Sequence, residues 1–225
     1  MRKSIFRSAL IVGLILCTIF HSFEQSGLQD ENKYIDVDGA NIFLRLVDSA
    51  EPLLIVHGAP CMSHDYLAPQ LINLLANDYQ LIFYDQRASE HSSGVDDTTR
   101  LTILQFVRDL EMLRQQLKIN RLNLLGHSFG GLMGVYYAIS CPKNANKLLL
   151  INTAPANWKL NFPYFRKAIA QRQSEAERQE LTTIQLKNDF GTNPDQMDRY
   201  LKLYFKPFFK NPSLSQDLVL GIDKN

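Results

Sequence analysis

The segment of greatest chemical interest is Gly126-His127-Ser128-Phe129-Gly130-Gly131. It matches the pattern G-x-S-x-G, in which the serine stands at a strained turn between a strand and a helix. Such a turn lifts the hydroxyl above the sheet, and it leaves no room for side chains at Gly126 and Gly130. The helix start beneath it also favours developing negative charge. The pattern therefore predicts that Ser128 is a nucleophile that attacks a carbonyl carbon.

A second segment, His57-Gly58-Ala59-Pro60, directly follows a predicted buried strand, Leu53-Leu-Ile-Val56. A loop in this position can aim a backbone N–H at the oxygen of a tetrahedral intermediate, and the residue after the nucleophile can aim another. We therefore expect Ala59 and Phe129 to form an oxyanion hole. The residues expected to line the substrate pocket beside it are His57, Gly58, Pro60 and His127. A simple turn at residues 57–60 and ordinary packing of His127 are the alternatives.

Strands and helices alternate between residues 52 and 153, which predicts a mostly parallel sheet covered by helices on both faces. Apolar runs predict buried strands at residues 53–56, 80–84, 121–125 and 147–151. Helical spacing of apolar residues predicts helices at residues 65–77, 103–117 and 129–140. A capping box of Thr102 and Gln105 is expected to open the second of these helices. Asp38-Gly39 predicts a hairpin turn ahead of the parallel strands.

Residues 155–220 are polar, helical in pattern and interspersed with aromatic side chains. An apolar stripe, interpreted as helix packing rather than as a ligand site, is predicted at Tyr200, Leu203, Tyr204, Phe208 and Phe209. The whole chain is 45% apolar and 21% charged, with a formal net charge of +1. These values are typical of a globular chain with one sizeable domain, and they indicate neither a nucleic-acid partner nor a polyacidic one.

The N-terminus predicts export or membrane attachment. An uncharged run, Ser8–Phe20, follows three basic residues, Arg2, Lys3 and Arg7. This order is typical of a secretory signal peptide, and the run is shorter than the roughly 20 apolar residues of a membrane span. Residues 1–26 are therefore expected to be a signal peptide or an anchor, so the protein is expected in the periplasm, outside the cell or on a membrane. Export would let Cys61 and Cys141 pair, although two free buried thiols are preferred.

Taken together, the motifs resemble the α/β-hydrolase fold, and most closely the proline iminopeptidase-like branch of serine peptidases. That branch carries His-Gly-Gly-Pro-Gly where this chain has His57-Gly58-Ala59-Pro60-Cys61. It carries Asp-Gln-Arg-Gly-x-Gly-x-Ser where this chain has Asp85–Ser92, with Ala88 and Glu90 at the glycine positions. The stretch Leu203–Phe209 is similar to the end of the branch's helical cap. The resemblance implies a hydrolase core at residues 33–154 and an incomplete cap at residues 155–225.

The same resemblance implies a serine hydrolase that acts on a peptide or ester carbonyl through an acyl-enzyme, most closely an aminopeptidase. It implies a small peptide or ester as the substrate and no cofactor, metal ion or nucleic acid. A small-molecule esterase and a non-catalytic binding protein or fragment remain as alternatives. Serine rather than aspartate at position 128 argues against the dehalogenases and epoxide hydrolases of this fold. Three cap residues could bind a free amino terminus, although a solvated helix face is preferred: Glu175, Glu177 and Glu180.

A serine nucleophile needs a base, and in this fold the partners follow in the order serine, acid, histidine. All five histidines precede Ser128, at positions 21, 57, 64, 91 and 127. His91 is the least unfavourable substitute because its loop is expected at the same sheet edge. Asp223 could imitate the acid, but we interpret it as the end of the cap. The sequence therefore predicts a C-terminally truncated chain of weak or no activity, with residues 147–151 as an exposed apolar edge strand.

Overall fold

The computed structural model describes residues 28–58, 62–93, 98–190 and 192–217. Several predictions made from the sequence fall outside these ranges. They concern the signal peptide or anchor at residues 1–26, the loop residues Ala59, Pro60 and Cys61, and Asp223. Within the described ranges, none of the helices combines the length and the apolar character that a membrane span requires.

Six strands form one mixed sheet in the order β1-β2-β4-β3-β5-β6. The first two strands form an antiparallel hairpin, and β2 is also antiparallel to β4. The remaining neighbours are parallel, so the carboxyl ends of β3, β4, β5 and β6 meet at one edge of the sheet. The strands are β1 (Asp30–Val37), β2 (Ala40–Val47), β3 (Glu51–Val56), β4 (Tyr79–Tyr84), β5 (Leu122–His127) and β6 (Ala145–Ile151).

The predicted hairpin turn lies between β1 and β2. Asp38 has a φ of 52° and Gly39 a φ of 76°. Two consecutive positive φ values are what a type I′ turn requires, and this turn matches the twist of the paired strands. The Asp38-Gly39 prediction is therefore confirmed.

Three helices connect the parallel strands, and three more follow β6. They are α1 (Ala68–Leu75), α2 (Ile103–Gln116), α3 (Phe129–Ser140), α4 (Trp158–Gln171), α5 (Glu175–Gln185) and α6 (Pro194–Phe205). Short 3-10 helices lie at Thr98–Arg100, Lys206–Phe208 and Pro212–Asp217. Helix α1 is shorter than predicted because residues 64–67 form turns, and Pro69 takes a position in the first helical turn, where its missing N–H costs nothing.

Of the capping box predicted at the start of α2, the structure has the hydrogen bond to Thr102 but not the one from the Gln105 side chain. The Thr102 side chain accepts a hydrogen bond from the Gln105 backbone N–H at 3.2 Å. The Gln105 amide, however, donates to Asp38 and Asp109 at 3.0 Å each. Gln105 thereby links the hairpin turn to α2 instead of completing a capping box.

The apolar run of β3 is buried on both faces of the sheet. Leu54 and Val56 pack with α2 and α3, and Leu53 and Ile55 pack with α1, which covers the opposite face. All four side chains are at most 2% exposed. The prediction of a sheet covered on both faces is therefore confirmed, with each buried side chain contributing about 1.5–3 kcal/mol of transfer free energy.

Strand β6 forms one edge of the sheet. Its residues Leu149, Leu150 and Ile151 are 42%, 48% and 36% exposed. Such an apolar edge is a site at which another strand or chain can pair, so the exposed edge expected from the sequence is present in the structure.

The polar segment after β6 forms the helices predicted for it. Tyr200 packs against Phe190 at 5.1 Å and stacks on Tyr204 at 5.9 Å between ring centroids. Leu203 is buried, and Phe208 packs against Phe165 at 5.9 Å. The predicted apolar stripe therefore takes part in helix packing. Phe209 is the exception, because no ring contact is described for it.

The loop after β4 is fixed by a buried ion pair. The Arg87 guanidinium donates to both carboxylate oxygens of Asp109, at 2.8 and 2.6 Å, and also to the Val37 carbonyl. Arg87 is 1% exposed, so this pair excludes water and holds the loop against α2 and β1. The next residue, Ala88, has a φ of 59°, and Glu90 has a φ of 30°. Both positions have the left-handed backbone that favours the glycines of the resembled branch.

We expect Ala88→Gly to raise the free energy of unfolding by about 0.5–1 kcal/mol, measured by urea denaturation. The substitution removes the steric cost of a Cβ at positive φ, about 1–2 kcal/mol, and part of that gain is offset by the extra freedom of glycine in the unfolded chain. Ala138→Gly, inside α3, is the matched control and should lower stability by about 1 kcal/mol or more. Equal destabilisation by both changes would contradict the strain at Ala88.

Candidate active site

Ser128 occupies the turn between β5 and α3. Its backbone has φ 53° and ψ −117°, a conformation that a residue with a side chain rarely adopts and that costs on the order of 1–3 kcal/mol. Its N–H donates to the Ile151 carbonyl at 3.0 Å. Its carbonyl accepts from the Gly131 N–H at 3.1 Å and from the Ala154 N–H at 2.9 Å. The neighbouring segments therefore hold Ser128 in its strained conformation.

The glycines on either side of Ser128 permit a close approach of backbone segments. A methyl group on Gly130 would lie 2.1 Å from the Val56 carbonyl oxygen, and one on Gly126 would lie 2.5 Å from the Gly131 Cα. Neither distance is compatible with a side chain. The start of α3 can therefore pack directly against the end of β3, as the sequence pattern predicted.

Phe129 is the first residue of α3, so its N–H has no partner within the helix. Its ring packs edge-on against Phe106 of α2 at 5.9 Å between centroids, which anchors this end of the helix. Among the described residues, no hydrogen bond ties up the Ser128 hydroxyl. A free hydroxyl next to an unpaired backbone N–H is the arrangement that attack on a carbonyl requires.

The loop after β3 lies directly beside Ser128. A methyl group on Gly58 would be 3.0 Å from the Ser128 Cβ, 3.0 Å from the Tyr66 hydroxyl and 3.1 Å from the His127 Nδ1. The structure thus brings together Gly58, His127 and Ser128, three of the residues singled out in the sequence. The predicted donor Ala59 and the pocket residue Pro60 follow Gly58 outside the described residues.

Tyr66 is a residue of this site that sequence reasoning missed. Its hydroxyl accepts a hydrogen bond from the Gly58 N–H at 2.7 Å and lies 2.7 Å from the His127 Nδ1. Burial raises the pKa of Tyr66 to about 12, and burial also lowers the pKa of His127. The hydroxyl therefore keeps its proton, the imidazole is neutral, and the two share one hydrogen bond. No motif marks Tyr66, which lies in a turn eight residues after Gly58, where the sequence suggested only the start of a helix.

The buried side chain of His57 fixes the loop after β3 through hydrogen bonds. Its Nε2 accepts from the Gln86 N–H at 3.2 Å, which leaves Nδ1 protonated to donate to the Gly58 carbonyl at 2.8 Å. The Gln86 side chain in turn donates to the His57 carbonyl at 2.8 Å. His57 is 0% exposed, and burial lowers its pKa from 6.5 to about 4. A fully buried ring does not line an open pocket, so the expectation that His57 contacts substrate is corrected to a supporting role.

The histidines at positions 64 and 91 share one carboxylate. The two Asp85 oxygens accept hydrogen bonds from the His64 Nδ1 at 2.8 Å and the His91 Nδ1 at 2.7 Å. Burial raises the pKa of Asp85, but the hydrogen bonds from both imidazoles outweigh it and bring the pKa to about 2. Asp85 follows β4, and β3 separates β4 from β5 in the sheet. The structure therefore pairs His91 with Asp85 and does not bring it to the Ser128 hydroxyl as a substitute base.

The three glutamates that could bind an amino terminus already have partners, which are cationic side chains or a backbone N–H at a helix start. Glu175 pairs with Arg178 at 2.5 Å, and Glu180 pairs with Arg199 at 2.7 Å. Glu177 accepts from the Ser174 N–H at 2.7 Å and also pairs with Lys206. These contacts support the helix-face interpretation and leave none of the three as an obvious partner for an amino terminus.

The described residues also bear on metals and thiols. Within these ranges, no group of three or more His, Cys, Asp or Glu side chains is arranged to hold a metal ion. Cys141 is a free, partly buried thiol, and burial raises its pKa. The pairing of Cys141 with Cys61 stays untested because Cys61 lies outside the described residues.

The strain at Ser128 predicts a difference between two substitutions that both remove the hydroxyl. Ser128→Gly relieves the unfavourable φ, whereas Ser128→Ala keeps the Cβ and the strain. We expect the glycine variant to be about 1 kcal/mol more stable than the alanine variant in urea denaturation. Equal stability of the two variants would show that the backbone at this turn is relaxed.

Burial of neutral His57 predicts a loss of stability in mild acid. The unfolded chain binds a proton at this residue below about pH 6.5, and the folded state binds it only near pH 4. The stability that His57 contributes is therefore complete above pH 6.5 and declines by up to about 3 kcal/mol as the pH falls toward 4. Denaturation curves at several pH values should show a shallower decline for His57→Gln. An unchanged slope would argue against the buried neutral imidazole.

Comparison with known proteins gives this site a family context. The sequence profile of the alpha/beta hydrolase fold family matches residues 51–216. The chain is 31% identical over 174 residues to the proline iminopeptidase of Saccharolobus solfataricus, which covers 75% of this chain and 54% of that protein. It is 32% identical over 140 residues to the proline iminopeptidase of Lactobacillus delbrueckii subsp. lactis, covering 59% and 47%. The chain spans about half the length of these curated relatives.

Solved structures show the same architecture. The proline iminopeptidase of Mycobacterium smegmatis superposes with a TM-score of 0.61 at 22% identity, covering 78% of this chain and 60% of that chain. The proline iminopeptidase-related protein of Thermus thermophilus superposes with a TM-score of 0.52 at 25% identity, covering 56% and 45%. With the family profile spanning both the sheet and the helices that follow it, these matches show that the chain belongs to the alpha/beta hydrolase fold family.

Proposed function

We propose that this chain carries the nucleophile of a serine hydrolase that cleaves a peptide or ester carbonyl through an acyl-enzyme. The observation that carries the proposal is the strained backbone of Ser128, which stands at the start of α3 beside the unpaired N–H of Phe129 and leaves its Cβ 3.0 Å from where a methyl group on Gly58 would lie. Stored strain at a single residue, maintained by surrounding hydrogen bonds, is typical of functional sites.

In the proposed reaction, the Ser128 oxygen forms a bond to the carbonyl carbon while its proton passes to a base. The carbonyl oxygen becomes negatively charged and is stabilised by the N–H groups of Phe129 and Ala59. Collapse of this intermediate breaks the bond to the leaving amine or alcohol, which takes up the proton. Water then attacks the acyl-enzyme in the same way and releases the acid product.

The backbone around Gly58 supports the role proposed for Ala59. The Gly58 N–H donates a hydrogen bond to the Tyr66 hydroxyl, so it is not free to bind the oxyanion. The Gly58 carbonyl is turned toward the buried His57 ring. A trans peptide directs its N–H opposite to its carbonyl. An inward carbonyl at Gly58 is therefore what we expect if the next N–H of the loop faces the reacting oxygen.

The base and the acid are proposed to come from residues outside those described. The described histidines bond other groups: His57 binds Gln86 and Gly58, His64 and His91 bind Asp85, and His127 binds Tyr66. The curated relatives are about twice as long as the matched segment. Without a histidine at the Ser128 hydroxyl, we expect weak or no activity.

The substrate is proposed to be a peptide with a free amino terminus, as the proline iminopeptidase relatives suggest. A small-molecule ester is the second candidate, because the three acidic cap residues are already bonded to Arg178, Lys206, Arg199 and the Ser174 N–H. The N-terminal run of uncharged residues after three basic ones supports export or membrane association, which we propose for the complete protein. Cell fractionation with an antibody to the chain would test this location.

The proposed nucleophile predicts covalent labelling by a fluorophosphonate probe. In the full-length protein, we expect stoichiometric labelling at Ser128, located by peptide mass spectrometry. Labelling should fall at least about 100-fold without the histidine, because an unassisted hydroxyl is a weak nucleophile.

Ser128→Ala should abolish the labelling, and Ser140→Ala, at the other end of α3, is the matched control that should retain it. Labelling at another residue, or none in either form of the chain, would refute the proposed function.

A further inference from the structure

We propose that Tyr66 is a positioning residue that ties the loop after β3 to the strained turn at Ser128 and thereby sets the oxyanion hole. This inference rests on the proposed function and adds a residue that the sequence pattern does not single out. The Tyr66 hydroxyl stands between Gly58 on one side and His127 on the other, at 2.7 Å from each partner atom.

Two hydrogen bonds meet at the Tyr66 oxygen. The Gly58 N–H donates to it, and the second hydrogen bond joins the Tyr66 hydroxyl to the His127 Nδ1. Burial keeps the phenol protonated and the imidazole neutral, so this second contact joins two uncharged groups. The contact therefore links the loop residue before the proposed donor Ala59 to the residue before the nucleophile.

The Gly58 peptide is held from its other side as well. Its carbonyl accepts from the His57 Nδ1, and His57 is itself fixed by Gln86 at the end of β4. With both the N–H and the carbonyl of Gly58 bonded, the two peptide planes that meet at Gly58 cannot rotate freely. A donor that is oriented before reaction stabilises the oxyanion without the cost of reorganisation.

Packing leaves little room for an alternative arrangement. The Tyr66 and His127 rings meet edge to face with centroids 5.5 Å apart, and a methyl group added to Gly58 would lie 3.0 Å from the Tyr66 hydroxyl, 3.1 Å from the His127 Nδ1 and 3.0 Å from the Ser128 Cβ. Loss of the hydroxyl would leave the Gly58 N–H and the His127 Nδ1 without their partner in a half-buried site. Tyr66→Phe should therefore loosen the loop while the ring still fills its space.

The main test measures fluorophosphonate labelling of the full-length protein. We expect Tyr66→Phe to lower the maximal labelling rate about 10- to 100-fold while the half-saturating probe concentration changes less than about twofold, because the defect is in oxyanion stabilisation rather than in binding. Tyr84→Phe is the matched control, since Tyr84 is also buried and its hydroxyl has no hydrogen-bond partner in the described part of the chain. It should label like the wild type.

A conservative change at His127 distinguishes a positioning role from general damage to the fold. His127→Gln keeps a side chain that can hydrogen-bond with the Tyr66 hydroxyl and should retain more labelling than His127→Leu. Equal labelling rates for Tyr66→Phe and the wild type would overturn the inference while leaving the proposed function intact.

A second measurement does not depend on catalysis. Amide hydrogen exchange followed by NMR should show that Tyr66→Phe speeds exchange of the Gly58 N–H at least about tenfold, since its acceptor is gone, whereas Tyr84→Phe does not. Unchanged protection of Gly58 would overturn the inference even if no form of the chain reacted with the probe. If Tyr66→Phe lost protection at the Gly58 N–H but no form of the chain reacted with the probe, only the proposed function would be refuted.

Discussion

A serine held at positive φ is the constraint on which the rest of this structure depends. The backbone at Ser128 stays in that conformation because its N–H and carbonyl are bonded to residues 151, 131 and 154. The same turn brings the start of α3 so near to the end of β3 that Gly130 can carry no side chain. The parallel sheet supplies this geometry, since it places the carboxyl ends of β3 and β5 side by side.

A frame of buried polar groups supports the turn from the neighbouring loops. Asp85, Gln86 and Arg87 follow β4, and each makes a different buried contact: with two histidines, with His57 and with Asp109. Their sequence was recognised as a family motif, and the structure supplies its physical reason. Removing one member of these pairs would leave its partner unsatisfied at a cost of roughly 1–3 kcal/mol.

Local signals were sufficient to predict the elements that carry the site. The apolar run at Leu53–Val56 identified a strand buried on both faces, and the Asp38-Gly39 pair identified the hairpin of β1 and β2. The G-x-S-x-G pattern placed Ser128 between a strand and a helix because glycine, serine and glycine at that spacing reflect a steric requirement of the turn itself. In these cases the sequence within a few residues determines the structure.

Contacts between distant segments could not be predicted in the same way. Nothing near Tyr66 in the sequence indicates that its hydroxyl meets Gly58 and His127, because the three come together only when the sheet is assembled. His57 was expected at the pocket, but its burial depends on Gln86 from another strand end. Likewise, the amide of Gln105 bonds the hairpin turn rather than its own helix end.

The most direct test of the account is a crystal structure of the full-length protein after reaction with a phosphonate inhibitor. The account predicts phosphorus bonded to the Ser128 oxygen, and a phosphoryl oxygen about 2.7–3.1 Å from the backbone nitrogens of Phe129 and Ala59. Phosphorus on another residue, or a phosphoryl oxygen that faces solvent away from both nitrogens, would contradict it.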